Sequence, residues 1–164
     1  MGAVKIFSRA IRTGKTTELM EWCKMHHQAD GILMPDVNDV RNFYFINSSI
    51  YLPAQVDRKA NEEKISVGKF CFSKKAFDSA SAYLEKNYTN SKNYFIIDEI
   101  GKLEVEQQTG LHHTLVQILQ IHLNQPNNTT LLLVVRENLL NNFLENYMHE
   151  CKVEISDKLD TLLA

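Results

Sequence analysis

Short apolar runs alternate with amphipathic segments along most of the chain. Two of these runs, residues 94–97 and 131–135, are apolar at every position. A strand that is apolar on both faces is typical of the centre of a parallel sheet, so these runs predict two buried central strands. Residues 3–7 predict the first strand of the fold, and residues 152–155 predict a short last one.

Between these strands the apolar positions recur at helical spacing. Helices are predicted over residues 16–27, 74–86, 110–123 and 137–148. Ser73 is a candidate N-cap for the second helix, and Gly31 is expected to end the first helical segment. Because buried strands alternate with helices, the sequence predicts one α/β domain over residues 1–164 with a largely parallel sheet.

The segment after the first helix predicts a hairpin. Residues 32–34 and 43–46 are apolar, and the gap of residues 35–42 between them is short and polar. Two antiparallel strands are therefore expected. Residues 67–72 predict a further strand, whereas the polar and charged residues 53–64 predict an exposed loop.

Residues 8–17, with the sequence SRAIRTGKTT, lie between the first predicted strand and the first helix. Strand, loop ending in Gly-Lys-Thr, then helix is the order of a phosphate-binding P-loop, in which backbone N–H groups surround a phosphate. Lys15 would contact the β- and γ-phosphates, and the Thr16 hydroxyl would bind Mg²⁺. The pattern has a glycine five residues before Gly14, where this chain has Arg9. The predicted nucleotide-binding residues are Arg9, Arg12, Thr13, Gly14, Lys15, Thr16, Thr17 and Arg136.

The apolar run 94–97 ends in Asp98 and Glu99. An aspartate at the end of a buried strand stands where a Walker B carboxylate belongs, and it would hold Mg²⁺ through a water molecule. Glu99 could then polarise the attacking water as general base. Arg136 follows the other buried strand and reaches the same sheet edge, where it is either a γ-phosphate contact or a surface residue. A Gly-Lys-Thr tripeptide alone is weak evidence, because so short a sequence can occur by chance. The Gly-Lys-Thr loop followed by Asp98-Glu99 at the end of a buried strand favours nucleotide chemistry.

Residues 96–104, IIDEIGKLE, closely resemble the Walker B signature of the small P-loop nucleoside-triphosphatases of the THEP1 family. The residues KIF at 5–7, GKTTEL at 14–19 and VGKF at 67–70 are similar to the same family in their order. The resemblance covers most of the chain. It implies an α/β P-loop NTPase fold, a RecA-like additional-strand three-layer sandwich with a mostly parallel sheet and a β-hairpin insertion.

The same resemblance implies an activity. It is Mg²⁺-dependent hydrolysis of ATP, GTP and other nucleoside triphosphates to the diphosphate, with broad base selectivity. Lys15 and Glu99 would then be the catalytic residues, and Thr16 and Asp98 the metal ligands. Lys102 and Glu104 also fall within the signature; for these a salt-bridged turn after the strand is the favoured interpretation.

Several substitutions separate the loop from the family pattern, which typically reads TGPPGxGKT. Arg9 and Arg12 replace two glycines, and both prolines are absent. A side chain at a position that needs a positive φ costs on the order of 1 kcal/mol. The arginines could instead bring two positive charges to the phosphates. The turn at residues 38–42 also lacks the family's arginine- and glycine-rich segment, and both differences bear on turnover more than on fold.

The composition of the chain argues against nucleic acid and membranes as binding partners. The chain has 164 residues, 44% of them hydrophobic, and a net charge of −2, so no general basic field recruits nucleic acid. The longest strongly apolar run has five residues, too few to span a membrane. Cys23, Cys71 and Cys151 are far apart and odd in number, which is typical of reduced thiols in a cytoplasmic protein.

Two other functions remain open on these residues. Because of Arg9 and Arg12, the chain could be a degenerate P-loop module that binds nucleotide or a partner without turnover. It could also be a small-molecule or nucleotide kinase, with the charged residues 57–64 as a lid. A glutamate directly after the Walker B aspartate suits water activation better than phosphorylation of an acceptor.

Overall fold

The computed structural model describes residues 2–88, 93–149 and 151–164. Within them the strands are β1 Val4–Arg9, β2 Ala29–Leu33, β3 Asp36–Val37, β4 Val40–Phe45, β5 Ile50–Pro53, β6 Gln55–Val56, β7 Lys64–Val67, β8 Phe70–Ser73, β9 Tyr94–Ile100, β10 Thr130–Arg136 and β11 Val153–Ser156. The helices are α1 Lys15–Met25, α2 Lys74–Asn87, α3 Lys102–Val105, α4 His112–Asn124, α5 Leu140–Tyr147 and α6 Leu159–Leu162, with a 3₁₀ turn at Glu137–Leu139 before α5.

The main sheet has the strand order β11-β1-β10-β9-β2-β4-β3, and β5 pairs with β4. The strands from β11 to β2 in this order run parallel, which confirms the predicted parallel sheet with β9 and β10 at its centre. β10 lies between β1 and β9, as the additional-strand type of P-loop fold requires. β4 runs antiparallel to β2, so the predicted hairpin is also confirmed.

Alternation of side chains along the central strands builds a core on each face of the sheet. Ile97 of β9 belongs to the core that contains Phe77 of α2. Its neighbour Ile96 belongs to the opposite core, together with Leu19 of α1 and Leu159 of α6. The result is a three-layer sandwich in which the parallel strands are covered on both faces.

Gly31 does not end the first helix, so that prediction is wrong. α1 ends at Met25, and Gly31 lies inside β2 with a φ of 117°. A Cβ atom at this position would lie 2.0 Å from the carbonyl oxygen of Ile96 on β9. The glycine is required because β2 and β9 approach each other too closely for a side chain.

A second sheet flanks the loop predicted at residues 53–64: residues 57–63 form a mostly exposed loop, whereas residues 55–56 and 64 belong to strands. β6 and β7 flank β8 in an antiparallel sheet with the order β6-β8-β7. The predicted strand at 67–72 is divided by a turn at Gly68 and Lys69 into β7 and β8. The sequence misses β6, the start of β7 and the turn between β7 and β8, because these strands have only two to four residues, mostly half-buried or exposed, and so show no clear apolar alternation.

The predicted N-cap of α2 is confirmed, and the bounds of two other elements differ slightly from the prediction. Ser73 caps α2, because its Oγ accepts a hydrogen bond from the backbone N–H of Ala76 at 3.2 Å. The last strand and the helix at residues 110–123 are shifted by one or two residues from their predicted bounds.

No helix in the described parts of the chain is both long and apolar enough to cross a membrane.

Candidate functional site

The loop of residues 10–14 joins β1 to α1. Arg12 and Gly14 both have left-handed conformations, with φ of 57° and 80°. Left-handed residues among right-handed ones turn successive backbone N–H groups toward one side, which forms an anion-binding concavity. Gly14 is also the N-cap of α1, and in the described structure no side chain caps this helix. Its first N–H groups are therefore available to an anion.

Lys15 lies along the inside of this loop and is buried. Its Nζ donates hydrogen bonds to the carbonyl oxygens of Arg9 at 3.1 Å and Ala10 at 2.8 Å. Burial lowers the pKa of Lys15, while the charges of Glu99 and Asp98 act in the opposite direction. The ammonium group thus lies at the loop, held by two carbonyls that a phosphate oxygen would join or replace.

The Arg9 side chain contacts the protein around the loop and does not face a cavity. Its Nη2 lies 2.8 Å from Glu18 Oε2 and 3.1 Å from the carbonyl oxygen of Thr13. Its Nη1 donates to the carbonyl oxygen of Asp157 at 3.3 Å. The structure therefore separates the two arginines of the loop, since Arg12 lines the cavities described below and the Arg9 side chain lines neither of them.

Asp98 is fully buried near the end of β9, where a bulge interrupts the pairing with β10. Its Oδ2 accepts hydrogen bonds from Thr16 Oγ1 at 2.7 Å and from the backbone N–H of Met34 at 3.0 Å. Its Oδ1 accepts from the backbone N–H of Glu99 at 2.8 Å. Burial, with the adjacent charge of Glu99, raises the pKa of Asp98 to about 6 despite these hydrogen bonds. The fold thus brings together the two residues predicted to bind the metal.

Glu99 has a left-handed conformation, with a φ of 55°. Its carboxylate lies between two guanidinium groups: Oε1 is 3.1 Å from Arg41 Nη1, and Oε2 is 3.2 Å from Arg136 Nη2. Arg41 is held in turn by Asp36, whose Oδ1 lies 2.8 Å from Arg41 Nε. Because each oxygen has its own charged donor, the carboxylate is fixed in one orientation beside the phosphate loop.

The sequence does not predict Arg41 or Asp36 as site residues. They are partners in the antiparallel register of β3 and β4, which places them opposite each other. The available signal is the polar turn at residues 38–42, which indicates a hairpin. It does not indicate which hairpin side chain faces Glu99, because this depends on how the hairpin folds over the sheet edge.

Two cavities meet at Glu99. The phosphate-loop cavity, of about 420 Å³, is lined by Thr13, Gly14, Lys15, Thr16 and Thr17 among others. The aromatic cavity, of about 560 Å³, is lined by Phe70, Phe72, Phe77, Lys69, Lys102 and Arg136 among others. Arg12, Arg41 and Glu99 line both cavities. A larger cavity of about 1000 Å³ lies among β1, β11 and α4, and none of the predicted site residues lines it.

Glu104 has a supporting position rather than the expected salt bridge. It is buried, and its carboxylate accepts hydrogen bonds from the backbone N–H groups of Gly101 at 3.1 Å and Leu111 at 3.0 Å. Burial raises the pKa of Glu104 to about 7. Lys102 is exposed and lines the aromatic cavity, and no salt bridge joins these two residues in the described structure. Glu104 thus ties α3 to the start of α4 beside the site.

The parallel sheet with β10 between β1 and β9, together with the loop before α1, defines a P-loop NTPase fold. A family model described as NTPase matches residues 10–158, which is most of the chain. The protein therefore belongs to this NTPase family, and the resemblance to THEP1-like nucleoside-triphosphatases is confirmed.

Two solved structures share the fold. The crystal structure of THEP1 from the hyperthermophile Aquifex aeolicus superposes with a TM-score of 0.67 at 16% sequence identity, covering 94% of this chain and 88% of that one. The solution structure of a human cancer-related nucleoside triphosphatase gives a TM-score of 0.55 at 16% identity, covering 97% and 90%. At this identity the two structures support the fold alone. No curated protein sequence matches the chain significantly.

Proposed function

We propose that the protein hydrolyses nucleoside triphosphates to the diphosphate and phosphate in a Mg²⁺-dependent reaction. One observation carries the proposal. The hydrogen bond of 2.7 Å between Thr16 and Asp98 joins the start of α1 to the end of β9, beside the carboxylate of Glu99. A cation-binding pair, a phosphate loop and a candidate base thus lie at one edge of the sheet, which is the combination that phosphoryl transfer to water uses.

In the proposed reaction the triphosphate lies in the phosphate-loop cavity, with its β- and γ-phosphates near Lys15 and the N–H groups at the start of α1. A water molecule attacks the γ-phosphorus, and the bond from the γ-phosphorus to the bridging oxygen breaks. Glu99 accepts the proton that the water loses. Arg136 and Arg41 lie on either side of the Glu99 carboxylate. Their guanidinium groups would stabilise the negative charge that develops on the γ-phosphoryl group.

The side chains present fit a hard divalent cation such as Mg²⁺. The hydroxyl of Thr16 and the carboxylate of Asp98 are hard oxygen donors, which this ion prefers. The described residues contain no group of three or more His, Cys, Asp or Glu side chains that could hold a metal by themselves. Mg²⁺ commonly takes its other ligands from phosphates and water. When bound, it would neutralise phosphate charge, with Thr16 as a direct ligand and Asp98 holding its water.

Two variants test the hydrolysis. Glu99→Gln is expected to lower the rate of phosphate release by about 10²–10⁴-fold, because it removes the proton acceptor. Lys15→Ala is expected to weaken nucleotide binding by about 10–100-fold, since it removes a charge-assisted hydrogen bond. Phosphate release from ATP and GTP, with and without Mg²⁺, and calorimetry with a non-hydrolysable analogue measure both effects.

Exposed residues elsewhere provide matched controls. Lys86→Ala and Glu106→Gln remove the same charges and are expected to leave the rate and the affinity unchanged. If the wild-type protein releases no phosphate from any triphosphate, the hydrolase proposal is wrong. Broad base selectivity and a cytoplasmic location stay predictions of the sequence.

A second candidate is a module that binds nucleotide without turnover. The observation in its favour is that each carboxylate oxygen of Glu99 is paired with an arginine, so the two guanidinium groups compete with a water molecule for the carboxylate. Under this alternative, calorimetry would show Mg²⁺-dependent binding, no phosphate would be released, and Glu99→Gln would leave binding unchanged.

A further inference from the structure

The aromatic cavity has an apolar interior. Phe77 and Leu103 are buried in its wall, and Phe72 packs edge-on against Phe77 with ring centroids 5.8 Å apart. Phe70 is 38% exposed at the same cavity, with its ring centroid 6.4 Å from that of Phe72. The wall thus offers aromatic faces and edges, which favour a flat aromatic ring.

The charged groups around this interior are not balanced. On the acidic side, Asp36 and Glu99 are already paired with Arg41 and Arg136. Glu104 is buried and held by two backbone N–H groups. This leaves Asp39 as the remaining acid of the lining.

Three cations of the lining have no salt bridge in the parts of the chain that the structure describes. They are Arg12, Lys69 and Lys102, and all three are exposed. They come from three separate elements, namely the phosphate loop, the turn between β7 and β8, and the start of α3. Against Asp39 and Glu104, they leave a surplus of one positive charge around an aromatic interior, and of two when Glu104 is protonated.

We propose that the aromatic cavity binds a second small molecule beside the nucleotide, namely an aromatic ring that carries a dianionic phosphate group. The ring would lie against the phenylalanines, and the phosphate would lie at Lys69 and Lys102. The volume of about 560 Å³ lies within the range of small-molecule sites, which is roughly 300–1,000 Å³. The proposal does not depend on hydrolysis, because binding to this cavity requires no turnover.

The position of the cavity also links it to the nucleotide site. Arg41 and Glu99 line both cavities, so a ligand in one cavity contacts the wall of the other. Phosphate groups on the two sides of this wall would repel each other, and each would be attracted by the positive charge of the shared Arg41. The second ligand is therefore expected to change the affinity for nucleotide, and by linkage the nucleotide changes the affinity for the ligand by the same factor.

Phenyl phosphate is a suitable probe, and calorimetry of the full chain without nucleotide measures its binding. The wild-type protein is expected to bind phenyl phosphate. Phenol lacks the phosphate group and inorganic phosphate lacks the ring, so both are expected to bind this cavity much more weakly. Lys69→Ala and Lys102→Ala are each expected to weaken binding by about three- to tenfold, because each removes one exposed cation. Lys86→Ala, on the far part of α2, is the matched control and is expected to have no effect.

Lys15→Ala separates this site from the phosphate loop. It is expected to leave the affinity for phenyl phosphate within about twofold of wild type, because Lys15 does not line the aromatic cavity. Loss of binding in Lys15→Ala, with no change in the Lys69 and Lys102 variants, would place the probe in the phosphate loop and overturn the proposal. No binding to the wild-type protein would overturn it too, as would equally tight binding of phenol, or equally tight binding of inorganic phosphate to the Lys15→Ala variant, whose phosphate loop is weakened.

Discussion

At the scale of single residues, the site is built on two side chains in conformations that favour glycine. Arg12 and Glu99 have φ of 57° and 55°. For Glu99, the bulge in β9 and the ion pairs with Arg41 and Arg136 stabilise the left-handed conformation. This strained conformation places the Glu99 carboxylate beside the phosphate loop. The sequence suggests a strained loop from its missing glycines, and the structure assigns positive φ to Arg12 but not to Arg9.

This assignment predicts the effect of Arg12→Gly on stability. Glycine removes a left-handed strain of about 1–2 kcal/mol but adds about 0.5–1 kcal/mol of chain entropy to the unfolded state, so the free energy of unfolding should stay equal or rise by up to about 1.5 kcal/mol. Ile11→Gly is the control, because Ile11 is an exposed neighbour without positive φ. It should lower stability by about 0.5–1 kcal/mol.

Urea denaturation of the wild type and both variants compares these free energies. Equal destabilisation by Arg12→Gly and Ile11→Gly would show that Arg12 is not strained. Arg12→Gln keeps a strained side chain but removes the charge, so titrating it and Arg12→Gly with nucleotide would separate the backbone effect of Arg12 from the contribution of its charge.

At the scale of elements, the contact between β2 and β9 depends on Gly31. A Cβ atom there would meet three backbone atoms of Ile96 within 3.0 Å, and neither central strand can move away without disturbing the sheet. Gly31→Ala should therefore lower the free energy of unfolding by more than about 3 kcal/mol, combining overlap with a φ of 117°. Gly68→Ala is the control, since Gly68 has a φ of 57° but no atom within 4 Å of the added Cβ.

Gly68→Ala should cost only about 1 kcal/mol, the price of the conformation alone. Thermal unfolding or urea denaturation of the two variants measures the difference. Similar losses in both would mean that conformation, rather than the close approach of two strands, requires Gly31.

The elements also show what a pattern of apolar residues can predict. β9 and β10 are recognisable because burial on both faces forces long apolar runs, and α2 because Ser73 caps an amphipathic stretch. β6, β7 and β8 are not recognisable, because short strands at the surface have little burial to impose a pattern. The wall of the aromatic cavity comes partly from this sheet, and the sequence therefore gives no sign of that cavity.

At the scale of the whole molecule, the candidate site lies where the ends of parallel strands converge, as in other open α/β sheets. Lys15, Thr16, Asp98 and Glu99 could be predicted because each directly follows a recognisable strand or starts a recognisable helix. Arg41 could not, because it reaches Glu99 from a hairpin at the sheet edge, 58 positions away in the chain. Contacts of this kind depend on the three-dimensional path of the chain and leave no local pattern.

Stability of the whole protein should depend on pH through Glu104. Its pKa of about 7 in the folded protein lies above the ordinary value of 4.5, because the carboxyl is buried. Between these two values the folded state keeps a proton that the unfolded state loses. The stabilisation is therefore complete below pH 4.5 and is lost as the pH rises through 7, a change of about 3 kcal/mol.

Glu104→Gln cannot titrate, so its free energy of unfolding relative to wild type should rise by about 3 kcal/mol when the pH is raised from 4.5 to 8. Urea denaturation at a series of pH values measures this difference, and the change with pH matters rather than the offset, because glutamine also alters the hydrogen bonds to Gly101 and Leu111. Glu106→Gln, an exposed neighbour, controls for the loss of one charge. Parallel curves for Glu104→Gln and wild type would mean that the carboxylate is stabilised as an anion by its two backbone donors, and the support of α3 and α4 would then be independent of pH.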